Sequence, residues 1–64
     1  MKRFTRLSIK RGRGLEQMVA YGRSDRGMRV VVGAAAYATK GLSKAEILVK
    51  RQEELDKILA KNSE

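Results

Sequence analysis

The chemistry this sequence offers is carried by cationic side chains. Residues 1–29 hold Lys2, Arg3, Arg6, Lys10, Arg11, Arg13, Arg23, Arg26 and Arg29 against only Glu16 and Asp25. Most of these bases are arginine, whose planar guanidinium makes bidentate contacts to phosphate oxygens. The 64-residue chain has a formal net charge of +8, and the whole excess lies before Ser43. From there to Glu64, five basic residues are matched by five acidic ones. A sequence pI near 10.5, with the charge gathered in one part of the chain, is the electrostatic footprint of a nucleic-acid binder. The same bases would also suit a protein partner with an acidic surface, or simply keep a small chain soluble. The expectation is a non-enzymatic protein that contacts DNA or RNA phosphates through these nine residues, with Phe4 and Tyr21 as stacking surfaces for bases. The alternative is a small adaptor or inhibitor that meets another protein through the same basic face.

Other chemistries are poorly supplied. The chain contains no histidine and no cysteine, which removes the usual acid–base group near neutral pH, the thiol nucleophile and the common transition-metal ligands. Most of the seven carboxylates lie in or after Ser43, where pairing with lysine accounts for them. No Gly-x-x-x-x-Gly-Lys-[Ser/Thr] phosphate loop occurs. No catalytic residue, cofactor or metal is expected.

Length and composition bound the rest. A chain of 64 residues makes one small domain and buries only about 60% of its unfolded surface, so its stability is marginal and self-association into a homo-oligomer would help. The basic start is not followed by the apolar run a signal peptide needs. The most apolar stretch, Val30 to Ala38, is nine residues long, against about 20 for a bilayer span. A cytoplasmic protein with no membrane partner is expected, in keeping with the lack of cysteine.

Four elements must position the bases. Ser43-Lys44-Ala45-Glu46 has the form of a capping box, with Leu42 before it as a staple. Ile47, Leu48, Leu55, Ile58 and Leu59 then fall on one helical stripe, with Arg51 in its midst. Glu46 with Lys50 and Glu53 with Lys57 are helix-supporting pairs. This predicts a helix over residues 43–61. Arg51 reads either as a snorkelling side chain or as a contact to a second subunit. Upstream, Phe4 to Lys10 alternates as a strand, with Thr5, Leu7 and Ile9 facing the helix and Phe4, Arg6 and Lys10 facing outward. Arg11-Gly12-Arg13-Gly14 reads as a loop in which two arginines could clamp a phosphate. Leu15, Gln17, Val19 and Tyr21 suit a second strand. Ser24-Asp25-Arg26-Gly27 suits a hairpin turn that brings Arg23, Arg26 and Arg29 together. Ala34 to Lys40 fits strand or helix equally, because alanine favours helix.

Two geometries follow. In the favoured one, a small three-stranded antiparallel sheet over about residues 3–35 packs on the C-terminal helix, an α+β fold in a single domain of residues 1–64 with 1–3 and 62–64 frayed. In the other, Ala34–Lys40 is a helix, and Gly41 to Ile47 resembles the turn and start of a helix-turn-helix unit. The charge-balanced second helix makes that reading the weaker, since it offers phosphates little attraction. The order strand-strand-strand-helix with basic strands is similar to the small DNA-binding domains at the start of some phage integrases, a likeness of topology that assigns no residue.

Overall fold

The computed structural model describes residues 2–62. Three strands, β1 (Arg3–Gly12), β2 (Leu15–Arg23) and β3 (Arg29–Ala38), precede one helix, α1 (Lys44–Asn62). The strands form one antiparallel sheet in the order β1-β2-β3. The α+β architecture expected from the sequence is therefore present. Fraying was expected of residues 1–3 and 62–64. Of these, Met1, Ser63 and Glu64 lie outside the described residues, whereas Arg3 opens β1 and Asn62 closes α1, its Nδ2 donating to the Lys2 carbonyl at 2.6 Å. Among the described residues, no helix is long and apolar enough to cross a membrane.

The first hairpin is tighter than the sequence suggested. β1 runs on to Gly12, which pairs with Leu15, so only Arg13 and Gly14 form the turn. Gly14 sits at φ 65, a left-handed conformation that a side chain disfavours. The second connection, residues 24–28, is closed by Ser24 N–H donating to the Met28 carbonyl at 2.9 Å and Gly27 N–H to the Ser24 carbonyl at 2.8 Å.

β3 continues to Ala38, which removes the helix-turn-helix alternative. Ala34, Ala35 and Ala36 pair with Val19, Met18 and Gln17 of the central strand. Those ladder bonds and the overlying helix outweigh alanine's intrinsic preference. The small residues also explain how α1 comes so close: a Cβ on Gly33 would lie 2.6 Å from Ile58 Cγ2.

Two bulges decide which side chains face α1. In β1 the partners step from Phe4↔Gly22 to Arg6↔Tyr21, leaving Thr5 as the extra residue. In β3 they step from Ala20↔Gly33 to Tyr21↔Val31, leaving Val32 extra. Side chains alternate between faces along a strand, and a bulge resets the alternation. The face beneath α1 therefore carries Phe4, Leu7, Ile9 and Arg11, then Glu16, Met18, Ala20 and Gly22, then Gly33, Ala35 and Tyr37. One expectation is corrected here. Phe4 joins Leu7 and Ile9 on the helix side, because Thr5 takes up the extra step. In β2 the packed face is Glu16-Met18-Ala20, which leaves Gln17, Val19 and Tyr21 on the opposite side.

The core is thin. Met18, Ala20 and Tyr37 are its buried apolar residues, and no residue of α1 is fully buried. The helix lies closest to β3 and runs back along it, its start locked by the expected capping box: Glu46 N–H donates to Ser43 Oγ at 3.2 Å, and Ser43 N–H to Glu46 Oε1 at 3.2 Å. With Glu46 turned to the cap, Lys50 pairs instead with Glu54 at 3.8 Å, which Lys57 also approaches at 3.6 Å.

Candidate nucleic-acid interface

The face of the sheet away from α1 gathers the bases. Along β1 it shows Arg3, Arg6, Ser8 and Lys10; along β2, Gln17, Val19, Tyr21 and Arg23; along β3, Arg29, Val31, Ala34 and Ala36. Among the described residues, no acidic side chain stands at these strand positions. Arg3, Arg23 and Arg29 are register partners across all three strands. Neighbouring strands are about 4.8 Å apart, so this row concentrates charge in a way that costs stability unless anions approach it.

The next row pairs Arg6 with Tyr21 and Val31. The Arg6 guanidinium carbon stands 4.9 Å from the Tyr21 ring centroid, a cation–π arrangement that orients both groups. Tyr21 is thus on the open face as expected, but the Arg6 guanidinium already occupies one side of its ring. Arg23 is oriented too, its Nη1 donating to the Gly27 carbonyl at 3.0 Å. Thr5, Arg6, Tyr21, Arg23, Arg29 and Val31 line an open recess of about 390 Å³. On β3 the small Ala34 and Ala36 leave the surface low, so a broad partner can approach the backbone closely.

The remaining sequence candidates lie elsewhere. Arg13 is in the first turn and Arg26 in the second, at opposite ends of β2. Lys2 precedes β1, and its Nζ donates to the Val31 carbonyl at 3.3 Å. Arg11 faces the helix side, with Nε 3.4 Å from Glu16 Oε2. Arg11 and Arg13 therefore do not converge into the phosphate clamp the glycines suggested, since Arg11 is engaged by Glu16 while Arg13 stands in the two-residue turn. Phe4 is not on the basic face.

Sequence reasoning missed a cluster on the helix side. Glu16, 1% exposed, receives the Tyr37 hydroxyl at 2.5 Å and Arg51 Nε at 2.9 Å, both on Oε1, while Arg11 approaches Oε2. One carboxylate thereby joins a side chain from each of the other strands and from α1. The Arg51 bond, then the Tyr37 bond, hold the Glu16 carboxyl below its ordinary pKa against the opposing effect of burial. Burial and the bond to Glu16 push the Tyr37 hydroxyl up, and Glu16 raises Arg51 further. The Arg51 head thus turns inward to Glu16 rather than snorkelling to solvent. The signal was present: Glu16 alternates with Met18 and Ala20, and Arg51 interrupts an apolar stripe, so two opposite charges both point inward. The cluster compensates the buried Glu16 charge and ties the three strands to α1. It also keeps Glu16 away from the basic face.

Comparison with protein-family models, with curated proteins and with solved structures finds no match for this chain.

Proposed function

We propose that this protein is a non-enzymatic nucleic-acid binder that lays the open face of its sheet against a phosphate backbone. The observation that carries this reading is the composition of that face: Arg3, Arg6, Lys10, Arg23 and Arg29 stand together with Tyr21, and no carboxylate is among them. Guanidiniums supply bidentate phosphate contacts. The apolar Val19, Tyr21 and Val31 between them suit the faces and methyl groups of bases. Arg13 and Arg26, at the two turns, extend the basic track beyond the strands. A cytoplasmic location accords with this partner and with a chain free of cysteine.

The test is fluorescence anisotropy of the purified protein with labelled DNA and RNA, duplex and single-stranded, across a salt series. Binding should weaken with salt along a log–log slope of about 0.9 per phosphate contacted on B-DNA. Arg6→Ala, Arg23→Ala and Arg29→Ala should each lower that slope by roughly one contact. Lys44→Ala and Lys57→Ala, on the helix, should leave it unchanged. Absence of binding to every form at low salt rejects the proposal and turns attention to a protein partner with an acidic surface.

A further inference from the structure

The whole chain exposes more surface than a compact chain of its size. Its accessible area is 5026 Å², whereas a globular chain of 7.2 kDa exposes about 4,100 Å² by the usual size scaling. The excess is about 900 Å² on that scaling, close to the roughly 800 Å² that each partner contributes to a stable interface. The radius of gyration, 12.7 Å, also exceeds the value of about 10.7 Å for a compact domain of this length. The molecule measures 42 × 20 × 14 Å, thin in one direction because its second layer is a single helix.

One part of the apolar surface forms a strip beside α1, with Leu48 exposed among half-buried neighbours. Going round α1, Lys61 borders a recess with Ala34 of β3, Ile58 lies over Gly33, and Arg51 reaches Glu16 on the central strand. Further round in the same direction come Leu55, Leu48 and Leu59, on the side of β1. β1 offers Phe4, Leu7 and Ile9 on that same side, each half-buried, while α1 packs chiefly on β3. Leu48 is 58% exposed. The polar groups at its borders are engaged: Gln52 bonds to Asp56 at 2.8 Å, and Arg11 at its end pairs with Glu16.

We infer that a second copy of this chain covers this strip, formed by Leu48, Leu55 and Leu59 of α1 with Phe4, Leu7 and Ile9 of β1. Charge selects the occupant's orientation. Two chains of +8 repel wherever their basic sheet faces approach, whereas α1, with five bases against four acids, carries a net charge of only +1. A contact between like strips about a two-fold axis is self-complementary. It buries apolar area on both copies and leaves both basic faces open on the outside of the pair. The inference does not depend on what those faces bind.

Sedimentation and light scattering, without nucleic acid, test it. The mass should rise with concentration from 7.2 kDa towards twice that value, and the melting temperature should rise with concentration as well. Leu48→Glu should raise the dissociation constant by roughly 30-fold or more, the scale of a central interface residue. Its helical circular dichroism should be unchanged, since Leu48 contributes little to the monomer's own packing. Val49→Glu, equally exposed at 59% but on the far side of α1 near Leu42 and Ala45, should associate as the unaltered chain does. A monomeric mass and a constant melting temperature at all concentrations overturn the inference. So does loss of association in Val49→Glu but not in Leu48→Glu. The concentration dependence of melting is read on the unaltered chain, so the result stands even if a variant fails to fold.

Discussion

Replacing Glu16 removes the one acceptor on which Tyr37, Arg51 and Arg11 converge. With Glu16→Ala, the Tyr37 hydroxyl and the half-buried Arg51 lose their partner, and a small cavity opens in a carboxylate site that is 1% exposed. Breaking a buried pair in this way costs about 3–5 kcal/mol. A 64-residue domain has roughly 3–10 kcal/mol in all, at about 0.05–0.15 kcal/mol per residue. The alanine variant should therefore lose a large fraction of that stability, from about a third to all of it. Glu16→Gln keeps an oxygen acceptor but loses the charge. Charge-assisted bonds contribute about 1.5–3 kcal/mol and neutral ones about 0.5–1.5, so a loss near 2 kcal/mol is expected. Arg51→Ala strands the buried carboxylate and should approach the cost of Glu16→Ala. Arg11→Ala removes a side chain that is 70% exposed and should cost about 0–1 kcal/mol. Urea unfolding followed by far-ultraviolet circular dichroism measures all four. The cluster also sets an acid response. Glu16 titrates lower in the folded chain than in the unfolded one, so its contribution is complete above the ordinary glutamate value of 4.5. It is lost progressively as pH falls from there through the folded value. This component should be missing from Glu16→Gln. Equal costs for Arg51→Ala and Arg11→Ala, or a Glu16→Gln variant as stable as the original, would refute the reasoning.

Two further substitutions test the packing around the helix. Ser43→Ala removes the oxygen that caps the Glu46 amide and should lower stability by about 1 kcal/mol, read as a shift of the urea midpoint at constant m-value. Gly33→Ala places a methyl 2.6 Å from Ile58 Cγ2 and should cost about 1–3 kcal/mol through overpacking. Combining it with Ile58→Val should recover part of that loss if the close approach of helix and strand is the cause.

The strands were legible as strands, but the faces they present were not. Period-two alternation marks a strand without saying which side is buried, and in β2 the apolar Leu15, Val19 and Tyr21 lie on the side away from α1 while Glu16 lies beneath it. The deciding factor is complementary shape. Ala20, Gly22, Gly33 and Ala35 let α1 lie close, and Met18 fills what remains. A single extra residue at Thr5 then reversed Phe4. Such a bulge has no marker in a run of Phe, Thr, Arg and Leu, because it answers to the partner strand. Of the nine candidate bases, Arg3, Arg6, Lys10, Arg23 and Arg29 share the open face, and strand alternation had already placed Arg6 and Lys10 there. Arg11 left it for Glu16, a partner invisible to local spacing.

What the sequence determined by itself was local or global in kind. The capping box and apolar stripe set the helix because their partners lie three or four residues away. The segregation of charge before Ser43 set the sign of the sheet. Tertiary structure alone decided that Ala34–Ala38 is a strand, that Glu16, Tyr37 and Arg51 form one buried network, and that Arg3, Arg23 and Arg29 stand in a row. Each of these depends on residues many positions apart meeting across hydrogen-bonded strands or between sheet and helix. The free energy of those meetings exceeds the local preferences a single stretch of chain expresses.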